Sequence, residues 1–211
     1  MVPLLVPSVQ IALALGLPEP TQLDGTRYVS EISVLHTEWL KLVNAISYDA
    51  LMMPTLSRGR RVVDLVADVF YAIDRTMQAW STGVFAWGGL GTRGEDDNDL
   101  PAAEVARIAA DRAILDSFTD KKAVTSFLER CCAAWQTFAL EIGDEGVDLD
   151  RLIDHPRKGS MPYERILGQQ RWHMSLHFRQ VTYTFDQAGI EHSSHDALEF
   201  VSDLHLPTYP F

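Results

Sequence analysis

Apolar residues recur at intervals of three and four along most of the chain, the spacing that places them on one face of a helix. The first such run predicts a helix from Ser30, as N-cap, to about Ser47, with Ile32, Leu35, Trp39, Val43 and Ile46 on one face. After Pro54 and Gly59 a second runs from about Arg61 to Trp80, its stripe made by Val62, Val66, Val69, Ile73 and Met77. Further helices are predicted from Pro101 to Phe118 and from Asp120 to Ile142, the latter with Val124, Phe127, Leu128, Cys131, Trp135 and Phe138 inward. The last begins at Pro162, a residue suited to a first turn, and ends at Gly189. Residues 81–100 and 143–160 read as loops, and Ser8–Gly16 and Ser194–Leu204 as short helical pieces. No segment alternates cleanly enough between hairpin turns to predict a sheet. The expectation is an all-α four-helix bundle with extra short helices: one domain over 1–211, with an N-terminal extension (1–29) and a C-terminal tail (190–211).

The final helix departs from the simple pattern. On a wheel, Glu164, Arg171, Ser175, Arg179, Thr182 and Asp186 share one side, expected to face solvent. Opposite them stand Ile166, His173, His177, Gln180 and Thr184, with Gln169 beside them, between flanks of Leu167, Met174, Phe178, Val181 and Phe185 and of Trp172, Leu176 and Tyr183. A buried polar group left unsatisfied costs about 1–3 kcal/mol, so this stripe needs partners. Histidines four apart point both imidazoles at one spot, which a metal ion or a wet pocket would satisfy and a single core histidine would not require.

Charge narrows the partners. The 211-residue chain carries a formal net charge of −11, which argues against nucleic acid and anionic membrane surfaces. A small-molecule substrate is the expected partner, with homodimerisation left open. Cys131 and Cys132 are adjacent, a poor geometry for a mutual disulfide, and fit a cytoplasmic setting. The apolar N-terminus lacks a basic residue before Arg27, which speaks against export.

Other motifs carry less. GLGTRG, Gly89–Gly94, follows a helix and precedes an acidic run, the reverse of a dinucleotide-binding turn. HSSH, His192–His195, falls in a polar connector, and His155 and His205 read as solvated. His36 reads as a hydrogen-bonded histidine at the core edge. Neither Glu-x-x-His nor G-x-S-x-G occurs.

HMSLHFRQ, His173–Gln180, followed by a helix end at AGI, resembles the H-x-x-x-H-x-x-Q signature of the DinB/YfiT-like superfamily, which includes mycothiol-dependent maleylpyruvate isomerase and thiol S-transferases. EWLKLVNAISYDALMMPTLSRGRRVVDLVADVFYAI resembles that family's first helix, connector and second helix, so the likeness reaches to about Ile190. It implies a divalent metal, zinc first, with nickel or iron as alternatives, held by His173 and His177. Where the family usually has a third histidine, this chain has Asp68, and the wheel places Asp68 with Arg61, Asp64 and Arg75 on a polar side. The resemblance further implies a metal-activated mycothiol or bacillithiol as co-substrate. Catalytic roles fall to His177 and Gln180 and cofactor contacts to Trp87 and Gln169, and a place in natural-product biosynthesis is in keeping with the altered triad. Two rival readings are a metal-free lyase or cyclase with His177 as base, and a non-catalytic ligand-binding bundle.

Overall fold

The computed structural model describes residues 24–55, 57, 59–86, 109, 112–143, 146–156, 158–192, 197–204 and 206. The predicted helix at Ser8–Gly16, GLGTRG, Trp87, His205 and most of the Pro101–Phe118 helix and of HSSH lie outside them, although 112–116 is helical. Helix α1 spans Gly25–Ala45, α2 Tyr48–Leu51, α3 Val62–Thr82, α4 Lys121–Ile142 and α5 Tyr163–Ala188. A 3-10 turn, Glu199–Val201, follows. No helix among the described residues is long and apolar enough to cross a membrane.

Helix α1 begins five residues before the expected Ser30. The carboxylate of Asp24 accepts from the Arg27 amide at 2.8 Å and caps the first turn. Gly25 permits this start, because a Cβ there would come within 2.4 Å of the Val147 carbonyl oxygen. Ser47, expected to end α1, instead caps α2 through the Ala50 amide. Asp120, where the next helix was expected to begin, is the N-cap of α4, and Pro162 sits at the N-cap of α5.

The long helices pack around one core. Helices α4 and α5 each pack against both α1 and α3, which therefore stand on a diagonal of the bundle. All five residues predicted on the inner face of the first helix are buried. Their core partners include Trp135 of α4 and Phe178 and Phe185 of α5. Antiparallel pairing of α3 with α5 is fixed at several levels, with the Tyr163 hydroxyl donating to the Thr76 carbonyl at 2.9 Å.

Two short strands correct the loop expected over 143–160. Strand β1, Leu152–His155, pairs antiparallel with β2, Gly159–Pro162. Exposed and buried residues do alternate in β1, but its exposed positions include Leu152, at 64% exposure, so the polarity of LIDH hides the period. The turn closes through Gly159, whose φ of 72° suits glycine. Strand β1 also borders the end of α3, the Phe85 amide donating to the Asp154 carbonyl and the Asp154 amide to that of Gly83, each at 2.8 Å. His155, expected to be solvated, is buried and stacks on Phe85, with ring centroids 5.4 Å apart.

His36 is a second correction. Its ring is buried between Phe70 and Trp135, and neither nitrogen makes a well-formed hydrogen bond. Burial pushes its pKa down to about 3, with only slight relief from the Ile32 backbone. His177 is also held down to about 3, by burial first and then by the His173 charge. Between pH 6.5 and 3 the unfolded chain thus binds protons at these positions that the folded chain does not, so stability is full above pH 6.5 and falls as pH falls. Chelated protein should lose roughly 2 kcal/mol per histidine between pH 7 and 5. Urea titrations of wild type and His36→Leu should give a difference in pH dependence of about half the total.

Candidate metal centre

Asp68 lies near the start of α3, and the chain just before that helix is pinned to it. The Thr55 amide donates to the Arg60 carbonyl at 2.7 Å and the Val62 amide to that of Met53 at 2.9 Å. Asp64 accepts from the Arg61 amide at 2.9 Å, closing the first turn of α3. Arg60 is thereby aimed along the helix, with Nη1 3.2 Å from Asp68 Oδ2 and Nη2 donating to Ser57 Oγ at 3.0 Å. What the wheel assigned to a polar side is therefore covered, and Asp68 is only 4% exposed.

The histidines of α5 face that carboxylate. Asp68 Oδ2 is 3.5 Å from His173 Nε2 and 3.7 Å from His177 Nε2. Their rings are 4.5 Å apart at 74°, edge to face. His177 and Gln180 are buried, whereas the His173 side chain is 23% exposed and forms the solvent side of the cluster. His177 Nδ1 lies 2.6 Å from Gln180 Oε1; as the amide oxygen can only accept, Nδ1 carries the proton and the Nε2 lone pair faces Asp68.

These ionisation states suit a cation. Burial works to raise the Asp68 pKa, but the His173 bond and charge, then His177 and Arg60, outweigh it and hold the carboxyl below its ordinary range. With His177 held neutral, the cluster presents a carboxylate and the His177 Nε2 lone pair to a cation. The donor atoms of the three residues all lie within 4.8 Å of one another. Bonds of 2.0–2.1 Å in a tetrahedron place ligand atoms about 3.3–3.4 Å apart, so the Asp68–histidine spacings fit within a few tenths of an ångström. Arg60 bonds the same oxygen, which has a second lone pair for a metal.

No protein-family model and no curated protein matches the chain. Among solved structures it is similar to YfiT from Bacillus subtilis, described as "a probable metal-dependent hydrolase with an unusual four-helix bundle topology", with a TM-score of 0.57 at 13% identity over 82% of this chain and 95% of that one. The fold is that of YfiT. The four-helix bundle expected from the sequence is thus found, with the fold of YfiT.

The remaining candidates are distributed around this centre. Gln169, one turn before His173, is half-buried and 3.5 Å from the Lys158 ammonium. Burial raises Cys131 to about 12 and Cys132 to about 11, so neither is a ready thiolate, and neither belongs to the cluster. Arg60 was missed in sequence because it precedes the helix and carries no motif; only the RGRR run, Arg58–Arg61, hinted at it. Replacing Gln180 by Leu removes the acceptor that fixes His177. Its expected effect is a 10- to 100-fold loss of zinc affinity by calorimetry, on the scale seen for groups that orient metal-binding histidines.

Proposed function

We propose that the chain is a metal-dependent enzyme that transfers a small thiol of the mycothiol type to an electrophilic small molecule, with zinc as the preferred ion. The observation that carries this reading is the convergence of Asp68, His173 and His177 within 4.8 Å at a partly open point of the bundle. A bound divalent cation would lower the pKa of a thiol so that thiolate, the nucleophile, is present at neutral pH. His173 and His177 would supply nitrogen donors and Asp68 the compensating negative charge, while Gln180 holds the His177 ring in orientation. Arg60 bonds Asp68 Oδ2 from the side away from α5 and adds to the His173 and His177 contributions that keep the carboxyl ionised. The thiol gives its proton to solvent, its sulfur forms the new bond to carbon, and the acceptor's leaving group or shifted electron pair takes up a proton in turn.

Among the described residues the cluster contains no carboxylate besides Asp68. A hydrolase of the zinc-protease kind would want a second one as general base, whereas a thiol needs only its pKa lowered. The likeness to YfiT nevertheless favours hydrolysis as the second reading. Zinc-loaded protein should form a thiol conjugate of monochlorobimane from mycothiol or bacillithiol, detected by mass spectrometry and abolished by chelation. Turnover of ester or amide substrates without any thiol would favour the hydrolase instead.

A further inference from the structure

Arg60 reaches the metal centre from the chain just before α3. Its amide donates to the Ser57 carbonyl at 3.1 Å, and its carbonyl accepts from the Thr55 amide at 2.7 Å and the Thr55 hydroxyl at 2.9 Å. Gly59, at a φ of 68°, makes the bend that turns the chain back on itself. The Arg60 side chain is 19% exposed, and its Nη1 lies 3.2 Å from Asp68 Oδ2. That is the same oxygen that the Nε2 atoms of His173 and His177 face at 3.5 and 3.7 Å. Pinned at its backbone and bonded through Nη2 to Ser57, the guanidinium is fixed beside the cluster suited to an ion.

The charges at this point sum to more than the ligands alone suggest. Imidazoles bind an ion as neutral groups, so Asp68 is the negative ligand of the cluster. Its single charge is matched by the permanently positive guanidinium of Arg60. Arg61 and Asp64, the next charges along the chain, pair with each other at 2.7 Å and cancel. A divalent cation held by Asp68, His173 and His177 would therefore keep two positive charges in a largely buried place, where Asp68 without Arg60 would leave one. Such a centre favours a negatively charged further ligand over a neutral one, because Coulombic attraction is strong where water is scarce. Arg60 is not saturated either: its Nε–H is buried and has no acceptor among the described residues. The 23% exposure of the His173 side chain marks the side on which a ligand enters.

We propose that Arg60 is a specificity-determining residue: its charge, set beside Asp68, makes the open position of the metal centre select an anionic ligand over a neutral one. The inference rests on the metal-dependent function proposed above and deepens it. It names an anionic donor, the thiolate rather than the neutral thiol, as what the site takes up.

Cobalt(II) in place of zinc tests this without turnover, because its visible absorption changes with each ligand that joins the ion. The full chain is loaded with cobalt at one fixed pH and titrated with azide, with 2-mercaptoethanol, which joins as thiolate and gives its proton to the buffer, and with neutral imidazole. Arg60→Met should bind azide and 2-mercaptoethanol about tenfold or more weakly than wild type, with imidazole affinity within about twofold. Its cobalt affinity should hold or rise, since a neighbouring cation is gone. A residue that only supported the fold would lose cobalt, azide and imidazole together. Arg60→Lys, which keeps the charge, should restore most of the preference for anions. Equal losses for anionic and neutral ligands, unchanged affinity for either anion, loss of cobalt binding by Arg60→Met, or wild-type cobalt protein that binds neither anion would overturn the proposal and leave thiol transfer to its own assay. Wild-type protein that takes up no cobalt would overturn the metal reading with it.

Discussion

Arg171→Ala should destabilise the folded chain by about 3–5 kcal/mol, the scale for removing one partner of a buried ion cluster. Arg171 is 2% exposed and bridges three parts of the chain. Its Nε donates to Glu31 of α1 and its Nη1 to Asp203, beyond the 3-10 turn, at 2.9 Å. Removing the guanidinium strands Glu31, itself only 7% exposed, and releases Asp203 from α5. For a chain of this size the loss corresponds to roughly 10 °C in Tm, read by calorimetry. Arg171→Met should be milder than Arg171→Ala if paired with Glu31→Gln, because that pair removes the orphaned charge. A Tm within 2 °C of wild type for Arg171→Ala would mean that the triad contributes nothing.

The second large effect concerns the metal. Wild type should gain thermal stability with added zinc, because an ion that binds only the folded state stabilises it by mass action. Asp68→Ala and His177→Ala should each abolish most of that gain, with affinity falling more than the 10- to 100-fold expected for the supporting Gln180. Asp68→Asn is the informative companion. It keeps the shape beside Arg60 but removes the negative charge, so binding should weaken even if the fold is unchanged. Retention of the full zinc-induced shift in Asp68→Ala would remove Asp68 from the ligand set.

The legibility of these features in sequence was uneven for physical reasons. Helix period exposed the core faces of α1, α3 and α4, because Ile32, Val66 and Leu128 repeat a spacing that only a helix buries together. The HxxxH pair was readable for the same reason, both imidazoles lying on one stripe of one helix. Asp68 was legible only through the family resemblance and not from the wheel, which reports only its own helix, whereas the cover over that polar side comes from Arg60 and from α5. Arg171 and Ser175 failed identically: the side of α5 expected to face water is buried at these two positions, with Glu31 and Asp203 serving the arginine across 140 and 32 residues, while Asp186 further along it is exposed. The β1–β2 hairpin escaped because four-residue strands with an exposed leucine leave almost no period to detect.

The whole account turns on whether Asp68, His173 and His177 hold one ion. Crystals grown from zinc-loaded protein, measured at the zinc absorption edge, test this most directly. The predicted result is one strong anomalous peak bonded to both Nε2 atoms and an Asp68 oxygen, at about 2.0–2.2 Å from each. No peak between these three side chains, with the zinc elsewhere or absent, would contradict it.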